Sequence, residues 1–256
     1  MTEPFAPGAP IWVDLGTTDV KGAAEFYGSL FGWTLEDLGP DAGGYGMFKL
    51  NGKDVAGVGP ATDPSRGTSW ATHFGTTDVA ETARRVEQHD GKVIMEPMQV
   101  FDSGSTAVFT DPHGAFFQMW QPDQMRGFQV SGEPGSFSWA ELMTPEVETS
   151  KSFYQDVLGV TTRDIHMDGE LMYTLLQVGG RSAAGMMHLG PEMAGMPPHW
   201  SVYFEVDDCD AAADRAIALG ATEMMRQDSP AGRFAILTDP QGGAFSIIKT
   251  DPDYTP

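Results

Sequence analysis

Trp12-Val13-Asp14-Leu15 returns 127 residues later as Trp139-Ala140-Glu141-Leu142. The same offset carries Phe26-Tyr27 to Phe153-Tyr154, and Leu30-Phe31-Gly32 to Val157-Leu158-Gly159. Further on, Thr110-Asp111-Pro112-His113-Gly114 matches Thr238-Asp239-Pro240-Gln241-Gly242, one residue out of step. Landmarks recurring in one order at one spacing mark a tandem duplication.

A second repeat lies inside the first half. Gly16-Thr17-Thr18-Asp19-Val20 recurs unchanged as Gly75-Thr76-Thr77-Asp78-Val79. The second half echoes it as Met143-Thr144-Pro145-Glu146-Val147 and Glu205-Val206-Asp207-Asp208-Cys209. The chain therefore reads as four related units, two per module.

Each unit reads as a strand, a helix and further strands. Ile11 to Leu15 is aromatic and β-branched, as strands are. Asp19 is placed to cap the helix that follows. Ala23, Phe26, Tyr27, Leu30 and Phe31 then recur at three- and four-residue steps, one apolar helix face, which Gly32 ends. Tyr45 to Leu50 and Val55 to Val58 read as strands joined by an Asn51-Gly52 hairpin turn. Val79 to Gln88 is a second helix, followed by strands over Val93 to Met95, Thr106 to Thr110 and Ala115 to Trp120. The second half repeats this, with helices near Val147–Leu158 and Cys209–Leu219. The expected division is residues 9–122, a linker over 123–135 in which apolar periodicity is lost, and residues 136–250.

The 36 acidic against 15 basic residues give a net charge of −21. Such a surface repels phosphate backbones and anionic lipid, so nucleic acid and membrane are not expected partners. Cys209 is the single cysteine, so no internal disulfide forms. No apolar run reaches the roughly 18 residues of a membrane span. Residues 1–10 lack the basic and apolar regions of a secretory leader, and a cytoplasmic location is expected.

Asp19-x6-Phe26-Tyr27-x3-Phe31-Gly32 and Asp111-Pro112-x-Gly114 with the strand after it, each present twice, resemble the glyoxalase / bleomycin-resistance / extradiol-dioxygenase (vicinal oxygen chelate) superfamily. The resemblance implies an α+β fold: a tandem duplication of paired βαβββ modules, with curved mixed or antiparallel sheets around a pocket. It also implies a small-molecule partner, and modules pairing within a monomer or in a homodimer. Family enzymes typically hold one divalent metal there with His, Gln and Glu, the metal acting as a Lewis acid.

Carried over onto this chain, the ligand positions fall on Trp12, Ala71 and Gln118 in the first module. In the second they fall on Trp139, Ser201 and Ser246. Tryptophan and alanine do not ligate a hard cation, serine rarely does, and one amide does not hold it. The expectation is therefore a pocket with no metal and no other cofactor.

Side chains alternate along a strand, so residues two positions from these share the pocket face. That rule places Asp14, His73, Phe116 and Trp120 beside Trp12 and Gln118. It places Glu141, Tyr203, Ala244 and Ile248 beside Trp139, Ser201 and Ser246. Asp14 and His73 are the candidate acid–base pair, with Gln118 as donor to a developing oxyanion. Trp12, Phe116, Trp120, Trp139, Glu141, Ser201, Tyr203 and Ser246 are the candidate ligand contacts. Three readings stay open. The chain binds a small aromatic or oxygenated molecule without metal, it is a metal-free acid–base enzyme, or it is a metal-dependent glyoxalase or dioxygenase with an atypical ligand set.

Overall fold

A computed structural model of the chain describes residues 6–63, 67–167, 169–190, 193 and 195–254. The first module runs β1 (Pro10–Thr17), α1 (Val20–Phe31), β2 (Thr34–Asp37), β3 (Gly46–Leu50), β4 (Lys53–Pro60), β5 (Ser69–Gly75), α2 (Val79–Gln88), β6 (Lys92–Val100), β7 (Gly104–Thr110) and β8 (Phe116–Pro122). The second runs β9 (Phe137–Thr144), α3 (Val147–Leu158), β10 (Thr161–Met167), β11 (Glu170–Val178), β12 (Arg181–His188), β13 (His199–Glu205), α4 (Cys209–Ala218), β14 (Thr222–Ser229), β15 (Gly232–Thr238) and β16 (Ala244–Thr250).

The local signals act as the sequence suggests. The Asp19 carboxylate accepts from the Gly22 amide at 2.9 Å and caps α1. Gly32 and Gly159 end α1 and α3 in the left-handed conformation that a side chain resists. Asn51 and Gly52 both have positive φ, as a two-residue turn of this hand requires. β2 carries no apolar pattern because all four of its residues are exposed on a sheet edge.

Each module forms one eight-stranded mixed sheet. The orders are β2-β3-β4-β1-β5-β8-β7-β6 and β10-β11-β12-β9-β13-β16-β15-β14. β1 runs antiparallel to β5 at the centre and parallel to β4, and β5 runs parallel to β8. The second sheet repeats this around β9 and β13. Val13 and Leu15 point into the core, while Trp12 and Asp14 point to the other face.

The core is continuous across the two modules. α1 packs on α4 and α2 on α3, and Phe74 meets Trp200 with ring centroids 4.9 Å apart. Two reciprocal clusters tie the modules. The Tyr27 hydroxyl donates to Asp239 at 2.9 Å and accepts from the Trp70 indole at 2.9 Å. The Tyr154 hydroxyl donates to Asp111 at 3.2 Å and accepts from Trp200 at 2.9 Å. The Asp-Pro turns of the repeat thus anchor the opposite module. The connection between modules is bound down as well. Phe128 N–H donates to Ile11 O at 2.9 Å, and the Trp33 indole donates to Gly135 O at 2.6 Å. Among the described residues no helix is long and apolar enough to cross a membrane.

Candidate functional site

Strand register assembles the site. Side chains of paired residues lie on one side of a sheet. Trp12 pairs with His73, His73 with Gln118, Gln118 with Val108, and Val108 with Met95. These five form one row across the face opposite the core. Asp14, paired with Ala71 and Gly57, starts the next row, and Phe116 and Trp120 flank Gln118. The equivalent row in the second module is Trp139, Tyr203, Ser246, Ile236 and Met225. There Glu141 pairs with Ser201 and Gly185, and Ala244 and Ile248 flank Ser246.

The sequence reading missed a tyrosine in each module. The Trp12 indole donates to the Tyr45 hydroxyl at 3.2 Å, and Tyr45 bonds to Asp14. A Cβ on Gly57 would collide with the Tyr45 phenol, so the ring lies where only glycine leaves room. The second module repeats this arrangement. The Trp139 indole donates to the Tyr173 hydroxyl at 2.9 Å, Tyr173 bonds to Glu141, and a Cβ on Gly185 would collide with the Tyr173 ring. Tyr45 and Tyr173 are 128 residues apart, as are Gly57 and Gly185. That shared spacing was the signal in the sequence.

The two acids differ in their third neighbour. His73 Nε2 lies 3.0 Å from Asp14 Oδ2. The approach is off the line of a ring N–H, and neither ring nitrogen has a hydrogen-bond partner among the described residues, although His73 is only 5% exposed. At the equivalent point Tyr203 donates to Glu141 Oε1 at 3.0 Å, and Ser246 bonds to Tyr203. Burial pushes the Glu141 carboxyl above its ordinary range, against the opposing effect of the Tyr173 and Tyr203 hydroxyls. The Tyr45 phenol is raised by burial and by the Asp14 charge beside it.

The candidate residues are not equally reachable. Trp12, Trp120, Tyr203 and Ser246 are buried. Phe128 from the connection packs on Trp12 with centroids 5.5 Å apart, and the Trp120 indole donates to Met125 O at 2.8 Å. Asp14, Ala71, Phe116, Gln118, Trp139, Glu141 and Ser201 are half-buried. A small gap of about 10 Å³ beside Tyr173, lined by Val147, Met172, Met186 and His188 among others, has room for about one water at most. Cys209 is buried and its thiol is pushed up to about 11, chiefly by desolvation, so it is not an activated nucleophile.

The residues do not fit a bound divalent metal. Asp14 pairs with Gly57 as His73 pairs with Gln118, so Gly57 is the counterpart of Gln118. The central positions of the first face are then Trp12, Gly57, Ala71 and Gln118, which supply one neutral amide. Those of the second are Trp139, Gly185, Ser201 and Ser246, which supply two hydroxyls. Tyr45 and Tyr173 fill the space over the glycines. Among the described residues no three His, Cys, Asp or Glu side chains stand close enough to hold an ion.

Residues 10–119 match the family described as "Glyoxalase/Bleomycin resistance protein/Dioxygenase superfamily", and residues 139–248 match "Glyoxalase-like domain". The chain is 41% identical over 266 residues to "Anthracycline biosynthesis protein DnrV" of Streptomyces peucetius, covering 98% of this chain and 96% of that one. It is 37% identical over 255 residues to "Putative glyoxylase CFP32" of Mycobacterium tuberculosis, covering 97% of each. Among solved structures, a Mn(II)-bound glyoxalase from Novosphingobium aromaticivorans superposes with a TM-score of 0.65 at 20% identity, covering 95% of this chain and 82% of the other. The 2,3-dioxygenase LapB from Pseudomonas sp. KL28 also gives 0.65, at 14% identity, covering 98% and 96%. At these identities the two structures share the fold with this chain.

Proposed function

Because the chain belongs to the glyoxalase/bleomycin resistance protein/dioxygenase superfamily, we propose that it binds a small aromatic or oxygenated organic molecule on the first sheet's open face, without a metal. One observation carries this reading. The central positions hold Trp12, Gly57, Ala71 and Gln118 in place of a ligand set, beside the half-buried Asp14 and Phe116. Half-buried Val108 and Met95 and exposed Met98 continue the face as an apolar strip suited to a ring system. The kinship to proteins named for anthracycline biosynthesis supports a fused-ring ligand.

The 3.0 Å approach of His73 to Asp14 favours a second reading, acid–base turnover of the bound molecule. His73 would take a proton from an acidic C–H or hydroxyl, Asp14 would stabilise the imidazolium, and the Gln118 amide would donate to the developing oxyanion.

Titration with 1,8-dihydroxyanthraquinone, followed by tryptophan fluorescence with and without a chelator, tests the proposal. Saturable binding unchanged by chelator is expected. Binding that appears only with added Mn(II) would overturn it.

A further inference from the structure

The two modules carry the same Trp–Tyr–acid chain, yet they close it differently. In the second, Glu141 accepts from Tyr203, bonds Tyr173, and Tyr203 is in turn bonded by Ser246. The two tyrosine hydroxyls that reach the acid are both committed. In the first, Asp14 receives Tyr45 and then meets an imidazole that is near enough to bond but not aligned to do so. A buried ring with both nitrogens unsatisfied costs free energy, and buried polar groups are nearly always paired. Of the two side chains, Asp14 is the more open, at 20% against 6%.

We propose that a hydroxyl of the ligand completes this pair, so that the first face selects hydroxylated planar ring systems and the second face binds none. The proposal rests on the binding function above. The hydroxyl donates to the Asp14 carboxylate and accepts from a His73 ring N–H, which leaves both side chains paired and moves no proton. The ring body then lies along Phe116, Gln118, Val108 and Met95, the direction in which the row runs from His73 toward the exposed edge strand β6. Met98, 49% exposed on β6, forms the outer wall. Ile236 and Met225 offer a similar apolar strip in the second module. It ends where Tyr203, in the place of His73, already donates to Glu141, and a ligand hydroxyl taking up the bridging position would have to break that bond. A site built around a hydroxyl rejects the analogue lacking it, because the site's own polar groups are then left unpaired.

The test compares 2,6-dihydroxyanthraquinone, whose hydroxyls lie away from the quinone oxygens and are free to donate, with unsubstituted anthraquinone by calorimetry on the full chain. The expected result is one dihydroxy molecule per chain, bound at least about tenfold more tightly than anthraquinone. His73→Phe should abolish the preference, by weakening the dihydroxy probe and relieving the penalty on anthraquinone, while Asp14→Asn, which keeps an acceptor, should reduce it in part. His73→Gln, which keeps a donor, should retain part of the preference. Circular dichroism establishes that each variant is folded. Met225→Ala, on the exposed end of the second face's strip, should change nothing. Two molecules per chain, equal affinity for the two probes, or loss of binding in Met225→Ala with His73→Phe unaffected would overturn this inference and leave the binding function standing. Failure of both probes to bind would overturn the binding function and the inference with it.

Discussion

Tyr45 lies across Gly57, and a side chain as small as a methyl group at that position would strike the phenol. The contact sets the height of the ring over the sheet, and through it the bonds to Trp12 and Asp14. Gly185 and Tyr173 repeat the relationship in the second module.

Gly57→Ala is therefore expected to expel Tyr45 and cost about 1–3 kcal/mol, the usual range for overpacking. Tyr45→Phe in the Gly57→Ala background should not recover it, since the ring as well as the hydroxyl meets the added carbon. Gly52→Ala, where a Cβ meets nothing within 4 Å but φ is 78°, shows the cost of backbone strain by itself, a cost Gly57→Ala does not carry because Gly57 has no positive φ. Chemical denaturation measures all three.

Phe128 stacks on Phe137 at 4.7 Å and 16° while covering Trp12. Truncation to alanine should destabilise the chain by about 2 kcal/mol, since the ring is only half-buried. It should also shift tryptophan emission to the red as water reaches Trp12. An unshifted spectrum would show that the connection does not shield the site.

Burial holds the Glu141 carboxyl above its ordinary range in the folded chain. The folded state therefore binds its proton more tightly than the unfolded state does. The stability this group contributes is complete below the ordinary glutamate range and declines as pH rises toward the raised folded value. Wild type should accordingly lose ground to Glu141→Gln as pH is raised through that window. Thermal melts of both at matched pH values check the difference, which cancels the effect of the large surface charge. A difference independent of pH would contradict the assignment.

Tyr27 and Tyr154 each reach across to the other module's Asp-Pro turn. Either tyrosine changed to phenylalanine should cost about 1–3 kcal/mol by leaving a buried carboxylate short of a donor. Because the core is shared, the chain should melt in one transition, and either variant should lower that transition without splitting it. Two separate transitions in calorimetry would show that the modules are energetically independent.

Much of this protein is legible in its sequence. The repeats, the helix caps, the Asn51-Gly52 turn and the alternation on β1 are the signals. The caps, the turn and the alternation are each read from residues within about one turn or one strand of each other, and the repeats carry that reading from one unit to the next. They fix the order of the elements, and the family resemblance together with strand alternation then places Trp12, Asp14, His73 and Gln118 on one face. The edge strand β2 escaped because an exposed strand has no apolar pattern to read. Tyr45 and Tyr173 escaped for a different reason. Nothing near them in sequence marks them as part of the site, and their role comes from glycines twelve residues away that leave space on a neighbouring strand.

By itself the sequence determined the duplicated scaffold, the acidic surface and the absence of the usual ligand residues from the expected positions. Only the tertiary structure decided that those positions are filled by paired Trp–Tyr–acid clusters. It also decided that His73 stands beside Asp14 unpaired while Tyr203 closes on Glu141. Strand register and side-chain volume settle such questions. Both depend on residues far apart in the chain, and neither leaves a periodic trace in it.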